Sequence, residues 1–409
     1  MSTELAKNVI ERLDTLARIS DEPGRITRTF GSPATKRANA KVAGWMREAG
    51  LETREDAVGN LIGHYPGESA GAKSLLLGSH LDTVRDAGKF DGTLGVLAAI
   101  TCVQALHEAR RRLPFALQVV AFAGEEGIRF PMPYVGSRAL VGALRNADLQ
   151  LKDVEGVTLA EAIRRLGGDP DQLLVAKVNA ERFFGYAEVH IEQGPVLEQN
   201  GLPLGIVTGI AGQTRARLIY TGRAGHAGTT PLSSRSDALC AAAEFVLQAE
   251  ARARGVPGLV ATVGQIQVEP GASNVIPGWA SLTLDVRHAK DEVRDQAVSE
   301  LESWARLRAE QRAIKLGWET VQSVPAVACD RRLSDLLAEC VARRQMKVLR
   351  LPSGAGHDAA VLSTLMPVAM LFVRCKNGLS HHPDESASLE DIAAALEVLN
   401  DFIASLAEG

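Results

Sequence analysis

The chain has 409 residues, of which 46% are hydrophobic and 23% are charged, and its formal net charge is −4. This length exceeds what one hydrophobic core usually organises, so two domains are expected, and the composition is that of a globular protein. The slightly acidic balance, without a long basic run, argues against nucleic acid as a partner.

Helical and strand patterns alternate through the first 200 residues. Apolar side chains recur at helical spacing over residues 5–16 and 38–49, and an apolar, helix-like run follows at 93–109. Short apolar runs near residues 74–80, 115–123 and 186–189 indicate buried strands, and residues 158–166 indicate a short helix. Strands that alternate with helices predict an α/β fold built on a mostly parallel sheet.

The pattern changes at about residue 212. The sequence predicts, in order, a strand at 215–222, a helix at 233–253, strands at 259–268 and 280–287, a helix at 291–309 and a strand at 316–321. The order β-α-β-β-α-β is typical of a split-βαβ, ferredoxin-like sheet with helices on one face. We therefore divide the chain into a catalytic domain over residues 1–211, an inserted α+β domain over 212–328, and the rest of the catalytic domain over 329–409.

The C-terminal part returns to the α/β pattern. A helix is predicted at 332–345, a short strand at 348–351 and a buried strand at 368–373. The sequence Ser388-Leu-Glu-Asp391 resembles a capping box that opens the last helix.

Residues with metal-ligand chemistry are concentrated between positions 78 and 126. His80 and Asp82 follow the first predicted strand, Asp91 lies in the next loop, and Glu125 and Glu126 follow the second strand. Open α/β sheets place their ligands at the carboxyl ends of the strands. Of two adjacent carboxylates, one can bind a metal while the other acts as general base. Each residue alone also fits a core histidine or a solvated turn, but their succession favours a divalent-metal hydrolase site.

Other signals bear on location and redox state. The N-terminus has no apolar signal core, and the apolar stretch 94–106 is too short to span a bilayer. Five cysteines are scattered without a CxxC pair, which is typical of reduced thiols in the cytosol. We therefore expect a cytoplasmic protein whose metal ligands are nitrogen and oxygen atoms.

Five strings in this order resemble the binuclear aminoacylase/carboxypeptidase (M20-type) metallohydrolases, and most closely their hydantoinase/carbamoylase branch of ureido hydrolases. The match extends over nearly the whole chain. The strings are Gly-Ser-His-Leu-Asp-Thr (78–83), His-Ile-Glu-Gln-Gly (190–194), Gly-His-Ala-Gly-Thr-Thr-Pro (225–231), Asn-Val-Ile-Pro-Gly (274–278) and Ser-Gly-Ala-Gly-His-Asp-Ala (353–359).

This resemblance implies a set of metal ligands. His80, Asp91 and His190 would bind one ion, and Asp91, Glu126 and His381 the other, with Asp91 bridging. The adjacent His382 is the alternative to His381, which is preferred because it directly follows Gly-Leu-Ser. Two divalent ions per subunit are implied, Mn²⁺ first, with Zn²⁺, Co²⁺ and Ni²⁺ as alternatives.

The resemblance also implies the remaining roles. Glu125 would be the general base, with Asp82 supporting the site. His226, on the inserted domain, would stabilise the oxyanion by reaching the site across a homodimer. Arg287 would bind the substrate carboxylate, although an ion pair with Asp285 or Asp291 is the simpler interpretation of the sequence alone. Three residues would hold the ureido group and the rest of the substrate: Gln213, Asn274 and His357.

The implied reaction is hydrolysis of a ureido (carbamoyl) C–N bond in a small, carboxylate-bearing substrate. Allantoate is the first candidate, releasing ammonia and carbon dioxide. N-carbamoyl-L-amino acids or β-ureidopropionate are the alternatives, and a dipeptidase or aminoacylase is the weaker one. The inserted domain would serve as a lid that closes on substrate and as the dimerisation surface, and we expect neither nucleic acid nor a membrane as a partner.

Overall fold

The computed structural model describes residues 2–408. The helices are α1 (Ser2–Ala17), α2 (Pro33–Glu48), α3 (Thr93–Glu108), α4 (Val135–Val141), α5 (Leu159–Leu166), α6 (Leu173–Ala176), α7 (Val196–Gln199), α8 (Ala238–Arg254), α9 (Asp291–Gln311), α10 (Arg331–Arg343), α11 (Asp358–Leu362) and α12 (Leu389–Glu408). Within the described residues, none of these helices combines the length and apolar character needed to cross a membrane.

The strands range from two to ten residues in length. They are β1 (Glu52–Glu55), β2 (Leu61–Tyr65), β3 (Ser74–His80), β4 (Ala116–Phe122), β5 (Phe183–Ile191), β6 (Leu204–Ile210), β7 (Gly212–Thr221), β8 (Gly225–His226), β9 (Val260–Thr262), β10 (Ile266–Glu269), β11 (Val275–Ile276), β12 (Trp279–His288), β13 (Lys315–Val324), β14 (Val327–Ala328), β15 (Arg350–Ser353) and β16 (Val368–Val373).

The chain forms two compact units. Unit 1 comprises Met1–Thr208, Cys329–Leu351 and Gly356–Gly409, and unit 2 comprises Gly209–Ala328 and Pro352–Ala355. Each unit has a hydrophobic core of its own. The short segment Pro352–Ala355, which the sequence analysis places in the catalytic domain, groups with unit 2.

Unit 1 is built on a mixed sheet with the strand order β1-β2-β4-β3-β5-β16-β6. Strand β3 runs parallel to β4 and to β5, and β16 runs parallel to β5, so four central strands share one direction. The edge strands β1, β2 and β6 run antiparallel to their neighbours. The mostly parallel α/β fold is therefore confirmed.

Helix α3 packs against the unit 1 sheet and is itself largely buried. Its first eleven residues are all buried, because it packs on β3 and β5 beneath helices α1 and α12. A helix that is apolar on every side is expected only where other elements cover it. Its burial anchors the loop that precedes it, which carries Asp91.

Unit 2 is an antiparallel sheet with the order β10-β12-β7-β13, and β9 also pairs with β12. Helices α8 and α9 contact this sheet and supply core residues such as Phe245 and Leu301. Strand β12 alternates between buried and half-buried residues along its whole length, as expected when one face of a sheet meets helices and the other does not.

The strand predicted at 259–268 is wrong as a single strand, because the chain forms β9 and β10 instead. Both pair with β12, but residues 263–265 stand opposite only residues 283–284, which makes a bulge that contains Gly264. Helix α8 begins at Ala238 rather than near 233, because the Asp237 carboxylate caps it by accepting the N–H groups of Leu239 and Cys240.

Candidate metal centre

The site lies at the carboxyl ends of the four parallel strands. His80 is the last residue of β3, His190 is the penultimate residue of β5, Glu125 and Glu126 follow β4, and His381 follows β16. The register places His80 opposite Phe122 and His190 opposite Phe372, so these strand ends are level with one another. The sheet thus brings together residues as distant in sequence as His80 and His381, which are 301 positions apart.

Asp91 is the centre of the cluster. It is 3% exposed, with Oδ1 3.2 Å from His190 Nε2 and Oδ2 3.1 Å from His381 Nε2. The next residue, Gly92, has φ 62°, and a Cβ there would collide with the His80 ring. Glycine at this position therefore allows the Asp91 loop to approach His80 closely.

Two groups of donor atoms share Asp91. One ligand atom each from His80, Asp91 and His190 lie within 4.8 Å of one another, and the same holds for Asp91, Glu126 and His381. These two triads are the sets expected from the resemblance. All their donors are imidazole nitrogens and carboxylate oxygens, a combination suited to several divalent transition metals.

Backbone carbonyls fix the tautomers of two histidines. His80 Nδ1 lies 3.0 Å from the Asp82 carbonyl oxygen, and His190 Nδ1 lies 2.9 Å from the Ile191 carbonyl oxygen. A carbonyl can only accept, so each Nδ1 carries a proton. In the neutral ring Nε2 then presents a lone pair, which is the arrangement that metal-binding histidines use.

A buried atom without a partner also fits a bound cation. Glu126 Oε1 is buried without a hydrogen-bond partner among the described residues. A buried polar atom without a hydrogen-bond partner lowers the stability of the fold, so its presence indicates that a ligand binds there. The donor set, the tautomers and this oxygen together fit a pair of divalent ions, and the chain binds divalent metal.

Asp82 organises the turn that carries the two glutamates. Its two carboxylate oxygens accept the backbone N–H groups of Glu125 and Glu126, each at 3.1 Å. Asp82 Oδ1 is also 3.8 Å from His80 Nδ1. Asp82 therefore orients the end of β4 relative to His80 and belongs to neither triad.

Burial and mutual repulsion perturb the ionisable groups of the cluster. Burial, and then the charge of Glu126, raise the pKa of Glu125 well above its ordinary value. Burial and Asp91 raise the pKa of Glu126 in the same way. Burial opposes charge on Asp91, but hydrogen bonds from His190 and His381 prevail and hold its pKa well below the usual range.

The histidines respond in opposite directions. Burial lowers the pKa of His190, but the hydrogen bond to Asp91 outweighs it and raises the pKa to about 9. The hydrogen bond to Asp91 likewise raises the pKa of His381. Burial and the neighbouring His190 hold the pKa of His357 well below its ordinary value. A divalent ion competes with these protons, because it binds deprotonated ligands.

The structure distinguishes the adjacent histidines 381 and 382. His381 Nε2 lies 3.1 Å from Asp91 Oδ2 and 3.6 Å from Glu126 Oε2, whereas His382 faces Asp384 at 3.8 Å. His381 has φ 57°, a left-handed conformation that non-glycine residues seldom adopt. Backbone strain of this kind is often found at functional sites.

Three residues that the sequence analysis did not assign surround Asp91. Gln193 Nε2 donates to both Asp91 oxygens at 3.2 Å, and Ser380 Oγ lies 3.2 Å from Oδ2. Glu385 Oε1 accepts the N–H groups of Phe90 and Asp91. The string His-Ile-Glu-Gln-Gly contained Gln193 and Gly-Leu-Ser contained Ser380, but no local pattern marked Glu385.

His357 lies on the other side of His190. It is buried, its ring meets the His190 ring edge-on at 4.5 Å, and it forms a third donor group with Glu188 and His190. Glu188 accepts a hydrogen bond from Ser79 at 2.6 Å, while its second oxygen is buried without a hydrogen-bond partner among the described residues. His357 thus lies within unit 1, beside the first triad.

In unit 2, Gln213 and Arg287 stand opposite each other on β7 and β12. Both contact Asp285: Gln213 Nε2 at 2.6 Å, and Arg287 through Nε and Nη2 at 2.9 and 3.1 Å. Arg215 joins the same carboxylate, and Arg287 Nη1 donates to the Gly354 carbonyl. The ion pair between Arg287 and Asp285 therefore forms, whereas Asp291 pairs with Arg294 instead.

His226 and Asn274 are neighbours at a second place in unit 2. Strands β8 and β11 pair there, and the N–H of Ala227 donates to the Asn274 carbonyl at 2.9 Å. Both side chains are exposed, and His226 Nδ1 accepts the N–H of Gly228. The His226 ring is thus oriented by its own turn, with Nε2 directed away from it.

Comparison with known proteins gives a consistent result. The model of Peptidase family M20/M25/M40 matches residues 76–405. The chain is 42% identical to an N-carbamoyl-L-amino acid amidohydrolase from Geobacillus stearothermophilus over 98% of both chains, and 39% identical to allantoate deiminase 2 from Glycine max over 98% of this chain and 90% of that one. A hydantoinase/carbamoylase family amidase from Burkholderia multivorans superposes with a TM-score of 0.92 at 32% identity, over 98% of both chains.

Proposed function

Because this chain belongs to Peptidase family M20/M25/M40, as a hydrolase of C–N bonds of the carbamoyl-amino-acid and allantoate amidohydrolase type, we propose that it cleaves a ureido group with two divalent ions. The observation that carries this proposal is the pair of donor triads that share Asp91. In this proposal, one ion is held by His80, Asp91 and His190, and the other ion is held by Asp91, Glu126 and His381.

The chemistry of the ureido group explains why the proposed reaction needs metal. A ureido carbonyl is a poor electrophile, because two nitrogens donate electron density into it. Divalent ions bound at the two triads supply Lewis acidity, which polarises the carbonyl and acidifies water. Mn²⁺ is our first candidate, and an all-N/O ligand set equally admits Zn²⁺, Co²⁺ and Ni²⁺.

Glu125 is placed to move the proton. It belongs to neither shared-Asp91 triad, yet a donor atom of its side chain lies within 4.8 Å of His80 and Glu126. Burial and nearby carboxylates raise its pKa, which brings a carboxylate closer to the proton affinity that a general base needs near neutral pH. Glu125 takes a proton from the attacking water and passes it to the leaving nitrogen.

Unit 2 supplies most of the substrate contacts in this proposal, and His357 of unit 1 supplies a further one. A guanidinium has five N–H groups, and Asp285 and Gly354 engage three of those on Arg287, which leaves two for a substrate carboxylate. Asp285 then orients the arginine rather than neutralising its function. Gln213, Asn274 and His357 bind the ureido group and the rest of the substrate, and His226 donates to the developing oxyanion.

Two substrates are supported to the same degree. Allantoate and N-carbamoyl-L-amino acids each present a ureido group and a carboxylate, and relatives named for each are 39% and 42% identical to this chain. We retain allantoate as the first candidate and N-carbamoyl-L-amino acids as the second. A homodimer through unit 2, acting also as a lid, and a cytoplasmic location are further parts of the proposal.

Ammonia release by the Mn²⁺-loaded protein tests the function. Allantoate, a panel of N-carbamoyl-L-amino acids and β-ureidopropionate are compared at equal concentrations, with the metal-free protein as control. We expect turnover of at least one ureido compound that depends on metal. If the metal-loaded protein cleaves dipeptides or N-acyl amino acids and none of the ureido compounds, the proposal is wrong.

A further inference from the structure

Glu385 is a buried carboxylate in the loop that carries His381. It is 4% exposed, and among residues 2–408 no lysine or arginine forms an ion pair with it. Its hydrogen-bond partners are instead two backbone N–H groups and one hydroxyl. A buried carboxylate without a cation must be held by such donors, and it holds them in return.

The partners of Glu385 lie in two distant segments that both reach the metal centre. Oε1 accepts the N–H groups of Phe90 at 2.8 Å and Asp91 at 3.0 Å, about 295 residues away in sequence. Oε2 lies 3.1 Å from Ser380 Oγ, which precedes His381. One side chain therefore connects the loop before α3 to the loop after β16.

The contact is close on both sides. A Cβ at Gly88 would collide with the Glu385 side chain, so the Asp91 loop packs directly against it. Ser380 Oγ is also 3.2 Å from Asp91 Oδ2. Its single hydroxyl proton can be donated to Asp91 or to Glu385, but only to one of them at a time. The position of Asp91 relative to His381 thus depends on where the Glu385 oxygens lie.

We propose that Glu385 is a positioning residue of the metal centre, which sets Asp91 and the Ser380–His381 segment at the separation that the second ion requires. The inference rests on the proposed function, because it presupposes that Asp91 and His381 are ligands. Glu385 acts by accepting hydrogen bonds at a fixed reach from the backbone, and its negative charge is not the property that matters.

Two variants separate reach from charge. Glu385→Gln keeps the chain length and an oxygen that accepts from Phe90 and Asp91, and its amide can donate to Ser380 Oγ. Glu385→Asp keeps the charge but shortens the side chain by one methylene, so the oxygens no longer reach both segments. Asp384→Asn is the matched control, since it changes an exposed carboxylate on the neighbouring residue.

The measurement is a Co²⁺ titration of the metal-free proteins, followed by visible absorption of the bound ion and by calorimetry. We expect Glu385→Gln and Asp384→Asn to bind the second ion within about threefold of the wild-type affinity. Glu385→Asp is expected to lose about 10- to 100-fold, the usual cost of removing a group that orients a ligand. Its visible spectrum should change as well, because the geometry of the remaining ligands shifts.

Any other pattern overturns the inference. If Glu385→Asp binds like the wild type, reach is unimportant, and if Glu385→Gln loses affinity as strongly as Glu385→Asp, charge is the relevant property. Thermal unfolding of the metal-free variants checks that each is folded before titration. A wild-type protein that fails to bind two ions would instead contradict the proposed function, so the two failures are distinguishable.

Discussion

The metal centre of unit 1 and the polar strand face of unit 2 hold their functional side chains in different ways. In unit 1 the donors converge on Asp91, and most of them are buried, although Glu126 is half-buried and the His381 side chain is 50% exposed. Glu126 Oε1 has no hydrogen-bond partner among the described residues. In unit 2 the residues are half-buried or exposed, and Arg287 and Gln213 already contact Asp285. In the proposed function, cations complete the first region. In the second region Arg287 is already paired with Asp285, and its remaining N–H groups are proposed to bind a substrate carboxylate.

This contrast predicts that changes in unit 1 abolish chemistry, while changes in unit 2 weaken substrate contacts. The largest effect on turnover is expected at Glu125. Glu125→Gln should lower kcat by about 10²–10⁴-fold, the usual contribution of a general base. Metal content should remain at two ions per chain, because neither triad that shares Asp91 includes Glu125.

Ammonia release and elemental analysis of the same preparation measure both quantities. Glu126→Gln is the control, since it alters a member of a triad and should reduce metal content. Wild-type turnover in the metal-replete Glu125→Gln protein would remove Glu125 as the base.

A smaller loss of turnover is expected at His226. This residue tests the contrast between the two units, because it lies in unit 2 but is proposed to act in the chemistry. His226→Ala should lower kcat by roughly 10²–10³-fold, as loss of one oxyanion donor does. The side chain is exposed, so the melting temperature should stay unchanged. His382→Ala, an exposed histidine outside both triads, is the comparison variant. Equal kinetics in the two proteins would confine the chemistry to unit 1.

The next effect is on substrate binding. Arg287→Ala should raise KM by about 10- to 100-fold, because a charged hydrogen bond contributes about 1.5–3 kcal/mol. Arg215→Ala removes the other arginine on Asp285 and should change KM by less than about threefold. Steady-state kinetics on the best ureido substrate measure both. Equal increases would show that neutralising Asp285, rather than binding substrate, is the role of Arg287.

The smallest effect is on stability. Folding raises the pKa of His190 to about 9 and raises the pKa values of Glu125 and Glu126. Groups with a raised folded-state pKa contribute stability at low pH that is lost as pH increases. For His190 this window runs from its unfolded value of about 6.5 to about 9. The lowered pKa of Asp91 acts oppositely, but only in strongly acidic solution.

The metal-free protein should therefore lose a few degrees of melting temperature between pH 6.5 and 9, on the order of 2–5 °C. Bound divalent ions displace these protons, so the metal-loaded protein should show a flatter profile. Scanning calorimetry of both forms across this range provides the measurement. A metal-free profile that rises with pH would contradict the assignment of His190 to a carboxylate-facing position.

The sequence could predict features that have a local pattern, but it could not predict contacts that depend on the pairing of distant segments. Strand and helix patterns located the buried strands that end near His80, Glu125 and His190, because short apolar runs followed by polar residues are a local signal. Glu385 was not predicted, because its partners Phe90 and Asp91 come from a distant loop and no spacing in the sequence marks them. For Arg287 the sequence offered Asp285 and Asp291 as partners, and only the strand pairing decides for Asp285. The bulge that separates β9 from β10 was missed for the same reason, since it depends on pairing with β12.

Crystals of the Mn²⁺-loaded protein, measured at the manganese absorption edge, test the central claim most directly. We predict two anomalous peaks on either side of the Asp91 carboxylate, one facing His80 and His190 and the other facing Glu126 and His381. A single peak, or an ion centred among Glu188, His190 and His357, would contradict the shared-carboxylate site on which the proposed function depends.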